Sequence, residues 1–113
     1  MSYCAYGSGY VTVVKEIPAV TLEEFTDAGF SINDYSPNTI SDIGVNCSVY
    51  HDYQRFEDEE VEDALISLSP FIVNGDICFE GDDNEYWEYS FLDGEWYRAE
   101  GYLAYDEGVK IGK

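Results

Sequence analysis

The sequence predicts an α+β fold, an antiparallel sheet of about five strands with two helices packed on one of its faces. Several segments have alternating apolar residues, which are typical of strands, and two others have apolar residues at helical spacing. They follow one another in the order β-α-β-α-β-β-β. The strongest local signal is Asp93-Gly94, a dipeptide typical of two-residue hairpin turns, which lies between two aromatic-rich segments. The length of 113 residues indicates one domain, residues 1–113, with one modest core.

The first part of the chain predicts a strand, a short helix and a loop. Residues 9–16 are rich in valine and end before a proline, which favours a strand. Thr21 and Glu24 match a capping box, so a helix of about two turns is expected between Thr21 and the C-terminal stop at Gly29. Residues 31–44 contain a proline and several Asn and Asp residues, so they predict a loop that has room for one short helical turn at residues 40–43.

The second part predicts a strand, a longer helix and a three-stranded meander. Residues 45–56 alternate in polarity and predict the second strand. Residues 57–69 predict a helix because their apolar side chains recur at helical spacing: Val61, Ala64, Leu65 and Leu68. The meander begins with residues 76–80, turns at residues 81–84, passes through the Asp93-Gly94 hairpin and continues through residues 102–105.

The hairpin also predicts which aromatic side chains face the core. A two-residue loop pairs Phe91 with Trp96, Tyr89 with Arg98 and Trp87 with Glu100. One face of this hairpin is interpreted as the core beneath the helices, or, if it is exposed, as a platform for a protein or a sugar: Trp87, Tyr89, Phe91 and Trp96. Six other tyrosines are predicted at the surface, where tyrosine is typical of interfaces: Tyr3, Tyr6, Tyr35, Tyr86, Tyr97 and Tyr105.

The charge of the chain is its most unusual property. Twenty-four Asp and Glu residues face five Lys and Arg residues, which gives a formal net charge of -19. Solubility requires a net charge of only about 2–8 in a small domain, and repulsion among the excess charges destabilises the folded state. So negative a protein is excluded from ordinary nucleic-acid binding, which needs cations against the phosphates. The charge instead predicts a basic protein partner.

The acidic residues concentrate at the start of the second helix and at the turns and edges of the meander. One interpretation is a solvated acidic face. The other is a surface that mimics nucleic-acid phosphates, because a domain about 34 Å across carries about as much charge as duplex DNA of that length. The residues predicted to contact the partner are Glu57, Asp58, Glu59, Glu60, Glu62, Asp63, Asp82, Asp83, Glu85, Glu88 and Glu95.

Few residues support catalysis or metal binding. His51 is the only histidine, and a Cys78–His51 pair would lack a third, orienting group. Cys47 and His51 lie about 13 Å apart along a predicted strand, so they are interpreted as buried strand residues and not as metal ligands. The acidic loop 82–85 departs from a calcium-binding EF-hand, because Trp87 stands where that motif needs glycine. The sequence predicts no enzymatic activity, no metal and no cofactor.

The cysteines and the hydropathy of the chain predict a cytoplasmic protein. Three widely spaced cysteines, Cys4, Cys47 and Cys78, favour free thiols in a reducing compartment. The first residues do not resemble a secretory signal, and no apolar run approaches the length of a membrane span.

In size, charge, aromatic content and lack of catalytic motifs, the whole chain resembles the acidic inhibitors that phages and mobile elements deploy against host defence, including DNA-mimic anti-restriction and anti-CRISPR proteins. The resemblance implies a stoichiometric inhibitor that occupies the nucleic-acid site of a CRISPR effector or restriction nuclease in the bacterial cytoplasm. It carries no family motif, so no site residue follows from it. The alternatives are an immunity protein or antitoxin against a basic nuclease toxin, an aromatic-platform carbohydrate-binding module, and a halophile protein whose acids serve solvation.

Overall fold

The computed structural model describes residues 4–41, 43–55, 57–81, 85–100 and 109–111, and the strands and helices given below lie within these ranges. The strands are β1 (Cys4–Val13), β2 (Phe30–Asn33), β3 (Val45–Arg55), β4 (Ile72–Gly81), β5 (Tyr86–Leu92), β6 (Glu95–Glu100) and β7 (Val109–Lys110). The helices are α1 (Ala19–Asp27) and α2 (Asp58–Leu68), and short 3-10 turns lie at Pro37–Thr39 and Ser69–Phe71.

All seven strands form one antiparallel sheet in the order β2-β3-β1-β4-β5-β6-β7. The predicted α+β class is confirmed, and the structure adds β2 and β7 to the five strands expected. The predicted hairpin register is confirmed too: Phe91 pairs with Trp96, Tyr89 with Arg98 and Trp87 with Glu100. Asp93 and Gly94 have positive φ values of 52° and 84°, the backbone conformation that this type of two-residue turn requires.

The core lies between one face of the sheet and the two helices. The apolar stripe predicted for α2 is buried, namely Val61, Ala64, Leu65 and Leu68. The aromatic face of the β5–β6 hairpin is buried against it: Trp87, Tyr89, Phe91 and Trp96. Trp96 also donates its Nε1 hydrogen to the carbonyl oxygen of Leu65 at 2.7 Å, which ties β6 to α2. These four aromatic residues are therefore core, and the interpretation of them as an exposed platform is wrong.

The first strand begins five residues before the predicted start, at Cys4 instead of residue 9. Two glycines weakened the strand pattern in this stretch, and the structure gives the reason for each. A Cβ atom added at Gly9 would lie 1.9 Å from the carbonyl oxygen of Asp76, and one at Gly7 would lie 2.8 Å from the ring of Phe79. Glycine at these positions lets β4 and the Phe79 ring approach β1 closely.

The first helix begins earlier than predicted. Its N-cap is Pro18, which makes no side-chain capping hydrogen bond. The backbone N–H of Thr21 donates to the carbonyl oxygen of Pro18 at 3.0 Å, so Thr21 lies inside the first turn. The capping box predicted for Thr21 and Glu24 is therefore wrong, because the fixed φ of Pro18 already directs the chain into the helix. The predicted end is confirmed, since Gly29 follows with a φ of 102°.

The segment predicted as a loop, residues 31–44, contains part of an edge strand. β2 pairs with β3 in antiparallel register, with Phe30 buried and Ile32 half-buried on the core face. A strand of four residues shows too few alternations to stand out in the sequence. The short helical turn lies at Pro37–Thr39, ahead of the predicted position. Residues 82–84 of the predicted turn and the predicted strand at 102–105 lie outside the described residues.

Candidate partner-binding surfaces

The two helices enclose an acidic groove, called here the helix groove. It has a volume of about 320 Å³ and is lined by Val20, Glu23, Glu24, Asp27, Glu60 and Asp63. Four of these residues come from α1 at helical spacing, and two come from α2. The hydroxyl of Ser67 donates to Oε1 of Glu24 at 2.9 Å and links the helices beside the groove. Five carboxylates in one concave site can together receive a cationic side chain.

Of the five acidic residues that line this groove, the two on α2 were predicted from the sequence and the three on α1 were not. Glu60 and Asp63 belong to the predicted cluster, whereas Glu23, Glu24 and Asp27 were assigned no function. A signal for them exists in the sequence. Leu22, Phe25 and Ala28 form the apolar stripe of α1, and the three acids lie on the opposite side of the helix. What the sequence does not contain is the packing of α1 beside α2, which brings the two acidic stripes together.

The other predicted residues at the start of α2 have different surroundings. Glu57, Asp58 and Glu59 are exposed, and Glu62 is half-buried. Asp58 and Glu62 form ion pairs with Arg98 of β6 at 2.8 and 3.1 Å. Their charge is therefore partly neutralised within the molecule, and this lowers their contribution to an acidic docking surface.

Arg98 is the centre of a cluster of acidic and aromatic groups. Its side chain is 19% exposed, and its guanidinium contacts Asp58, Glu62 and Glu100 at 2.8, 3.1 and 3.1 Å. Its Cζ atom lies 5.3 Å from the ring centroid of Trp87 and 5.5 Å from that of Tyr89. Burial disfavours the charged guanidinium, but the hydrogen bond to Asp58 and the neighbouring negative charges outweigh it and raise the pKa of Arg98.

Tyr89 shares this cluster. Its hydroxyl donates to Oε2 of Glu62 at 2.9 Å and accepts a hydrogen bond from Arg98 at 3.0 Å. Burial raises the pKa of Tyr89, while the positive charge of Arg98 opposes that rise. The cluster thus holds a neutral phenol and a cation between acids, which makes it a structural element of the core edge.

The remaining predicted residues lie elsewhere. Glu85 is exposed just before β5, while Asp82 and Asp83 lie outside the described residues. Glu88 and Glu95 point away from the helices, as shown by their alternation with the buried residues Trp87 and Trp96. The structure therefore divides the predicted acidic set between two opposite sides of the sheet.

The side of the sheet that faces away from the helices, called here the open face, combines tyrosines with carboxylates. Tyr6, Tyr10 and Tyr50 are 48%, 37% and 43% exposed. In the strand register, Tyr6 lies opposite Glu80 and Tyr10 opposite Asp76. The outward residues of the four central strands on this face include Tyr6, Ser8, Tyr10, Ser48, Tyr50, Asp76, Cys78, Glu80, Tyr86, Glu88, Ser90 and Leu92.

Three of these side chains form a compact cluster in the middle of the open face. One ligand atom from each of Asp76, Cys78 and Glu88 lies within 4.8 Å of the others, a spacing that could hold a metal ion. Burial and a hydrogen bond with Glu88 raise the pKa of Asp76 to about 7, and Ser90 opposes this by donating to Asp76 at 3.4 Å. Burial and Glu88 also raise the pKa of the Cys78 thiol. The sequence analysis missed this cluster because β4 and β5 contribute its members separately.

The residues considered for catalysis, His51 and Cys78, lie on opposite faces of the sheet. His51 is fully buried, with Nδ1 3.2 Å from the carbonyl oxygen of Ala5 and Nε2 3.1 Å from that of Ala28. Cys78 is exposed on the opposite face of the sheet, so the two side chains do not form a nucleophile–base pair. Cys47 is buried, as predicted, and burial together with Asp34 raises the pKa of its thiol.

Comparison with known proteins identifies no relative. No protein-family model, no curated protein and no solved structure matches the chain. Among the described residues, no helix is both long enough and apolar enough to cross a membrane. The site must therefore be interpreted from its own geometry.

Proposed function

We propose that the protein is a stoichiometric inhibitor that binds a basic nucleic-acid-binding enzyme, of the CRISPR effector or restriction nuclease class, through a surface that takes the place of DNA phosphates. It acts in the cytoplasm of the cell that holds this enzyme and performs no catalysis. The observation that carries the proposal is the helix groove, where two helices bring five carboxylates together around a single valine.

The helix groove offers what a lysine or arginine of a nucleic-acid-binding surface requires. The carboxylates come from both helices and line one volume of about 320 Å³. Since charges are screened only beyond about 8 Å at physiological salt, neighbouring carboxylates attract an approaching cation jointly. Such a surface accelerates association with a basic partner and makes the rate sensitive to salt.

The dimensions of the molecule also suit a substitute for DNA. Its longest extent is 41 Å, a length over which duplex DNA carries about 24 charges. The chain has 24 Asp and Glu side chains and a net charge of -19. A basic channel that accommodates about one turn of duplex backbone would therefore meet a comparable amount of negative charge on this protein.

Binding without catalysis is supported by the surroundings of the only histidine. Both ring nitrogens of His51 face backbone carbonyl oxygens in the core, so the ring serves to connect β3 with β1 and with the end of α1. A general base must instead reach a substrate proton directly or through a water molecule.

A salt-controlled capture experiment tests the proposal. Immobilised protein is incubated with bacterial lysates containing defined CRISPR effectors and restriction nucleases, and the bound enzymes are eluted first with duplex DNA and then with high salt. We expect a nuclease to be retained at low salt, displaced by DNA and inhibited at a one-to-one ratio. A nuclease that DNA does not displace would contradict phosphate mimicry.

Two variants of equal charge locate the contact. The groove variant carries Glu24→Gln, Glu60→Gln and Asp63→Asn, and the matched control carries Glu16→Gln, Asp34→Asn and Asp52→Asn. Each removes three exposed negative charges, but only the first set lines the groove.

The groove variant should weaken binding about tenfold, in line with loss of three exposed ion pairs. The control should weaken binding only slightly, because it changes the net charge and no direct contact. Equal losses in the two variants would show that total charge, and not the helix groove, provides the affinity.

A further inference from the structure

We propose that the open face of the sheet is a second binding surface, which recognises arginine side chains of a basic protein partner. This inference goes beyond the proposed function, because it concerns the face opposite the helix groove and does not depend on which enzyme occupies that groove. The occupant follows from charge complementarity, since the face presents carboxylates beside exposed aromatic rings.

The molecule itself shows how this combination of groups holds a guanidinium. Arg98 lies within 5.5 Å of the ring centroids of Trp87 and Tyr89, and it is hydrogen-bonded to Asp58 and Glu62. Rings attract a cation placed over their faces, and carboxylates accept the N–H groups at its edge. Two aromatic rings and adjacent acids are thus sufficient in this chain to hold an arginine that is mostly removed from water.

A tyrosine lies beside a carboxylate twice on the open face, in rows set by the strand register, and one of the two rows has a second ring. In one row Glu80 lies between Tyr6 and Tyr86, and the hydroxyl of Tyr86 donates to Glu80 at 3.3 Å. In the other row Asp76 lies between Tyr10 and Ser90. Adjacent strands are about 4.8 Å apart, so each tyrosine lies directly beside its carboxylate.

The spacing of the two rows defines the partner further. Tyr6 and Tyr10 are four residues apart on β1, which corresponds to about 13 Å along the strand. Ser8 lies between them on the same side of β1 and is exposed. Two arginines four residues apart in an extended segment have the same separation, so we infer a partner segment that lies along β1 with such a spacing.

Arginine fits this surface better than lysine does. The planar guanidinium stacks on an aromatic ring while its edge forms two hydrogen bonds to a carboxylate, whereas the ammonium of lysine is a compact, strongly hydrated charge. A surface that attracts cations only through net charge would bind both equally. The ratio of arginine to lysine affinity therefore separates the proposed recognition from general attraction.

The test uses two peptides of equal length and charge, in which four arginines or four lysines occupy every fourth position. Their affinities for the full chain are measured by calorimetry at 150 mM salt, with a chelator present to exclude a metal at Asp76, Cys78 and Glu88. We expect the arginine peptide to bind about tenfold more tightly, the combined effect of about two ring contacts.

Variants then assign the difference to the open face. The double substitution Tyr6→Thr, Tyr10→Thr should bring the two affinities to equality without changing the charge, and Leu92→Thr, which removes an exposed apolar side chain from the same face, should preserve the ratio. In labelled wild-type protein, the arginine peptide should shift the backbone amide signals of β1 and β4 more than those of α1. This mapping does not depend on the folding of any variant.

Equal affinity of the wild-type protein for both peptides, or a ratio that survives the tyrosine substitutions, would overturn the inference. The outcome is independent of the proposed function. The groove variant should lower the affinity of both peptides by a similar factor and keep their ratio, whereas a failure of the helix groove to bind any nuclease would leave the peptide ratio unchanged.

Discussion

Two clusters in this molecule bring carboxylates together and are stabilised in different ways. Around Arg98, the acids Asp58, Glu62 and Glu100 converge on a cation that is largely buried. On the open face, burial and a hydrogen bond with Glu88 raise the pKa of Asp76 to about 7. In a chain with 24 acids and five Lys and Arg residues, cations are too few to neutralise every cluster.

The comparison shows where the negative charge remains available to a partner. The Arg98 cluster has its negative charge partly neutralised within the molecule and its aromatic rings buried, so it supports the fold. On the open face the rings of Tyr6, Tyr10 and Tyr50 are exposed. Glu80 is exposed too, whereas Asp76 and Glu88 are half-buried. An external guanidinium on this face would therefore take the place that Arg98 occupies inside. The following substitutions test whether the two clusters differ in this way.

Replacing Arg98 by methionine should give the largest change in stability. The substitution leaves Glu62 beside Tyr89 without its cation, so we expect the free energy of unfolding to fall by about 2 kcal/mol. This is less than the about 3–5 kcal/mol typical of fully buried ion pairs, because Asp58 is largely exposed. Urea denaturation at neutral pH measures the change.

Arg98→Lys is the matched control for this substitution. It keeps the positive charge but loses the stacking on Trp87 and the multiple hydrogen bonds of the guanidinium, so it should recover only part of the loss. Full recovery by lysine would mean that charge alone explains the cluster, and it would also weaken the argument for arginine recognition on the open face.

Replacing Asp76 by asparagine should give a smaller change that depends on pH. The pKa of Asp76 is raised from 3.8 to about 7 in the folded protein, so between these values the folded chain binds more protons than the unfolded chain. The stability contributed by this proton is complete at about pH 4 and lost as the pH rises to about 7. Asparagine does not ionise, so the variant should match the wild type near pH 4 and exceed it at pH 8 by about 1 kcal/mol after solvent screening.

Glu80→Gln serves as the control, since it removes the same charge from the same strand outside the Asp76–Glu88 pair. Unfolding midpoints of both variants and the wild type at pH 4.5 and pH 8 give the comparison. A stabilisation by Asp76→Asn that is the same at both pH values would show that folding does not raise the pKa of Asp76.

The groove variant should show the smallest effect on stability. Its three substitutions reduce repulsion among exposed acids on α1 and α2, so we expect the protein to be stabilised by about 0.5–1 kcal/mol at low salt. The gain should disappear in 1 M salt, where the screening length falls to about 3 Å. Thermal unfolding at the two salt concentrations tests this, and a loss of stability would indicate that the carboxylates of the groove support the fold instead of a partner.

Much of the architecture could be predicted because it rests on local patterns. The alternation of Trp87, Tyr89 and Phe91 with polar residues and the Asp93-Gly94 turn determine the β5–β6 hairpin and its register. The apolar spacing of Val61, Ala64, Leu65 and Leu68 determines the buried side of α2. The start of β1 could not be predicted in this way, because Gly7 and Gly9 are required by contacts with β4, which lies more than 60 residues away in the chain.

The features of the candidate surfaces also divide into those set by local sequence patterns and those set by tertiary contacts. The sequence by itself determined that the protein is strongly acidic, which strand residues alternate and where α2 presents its acids, since these depend on residue types and on periods of two and 3.6 residues. Only the tertiary structure decided that α1 and α2 join their acids in one groove, that Arg98 neutralises Asp58 and Glu62, and that Asp76 meets Glu88 beside Cys78. Charges act over a few ångströms in space, and the order of the strands determines which of them come that close.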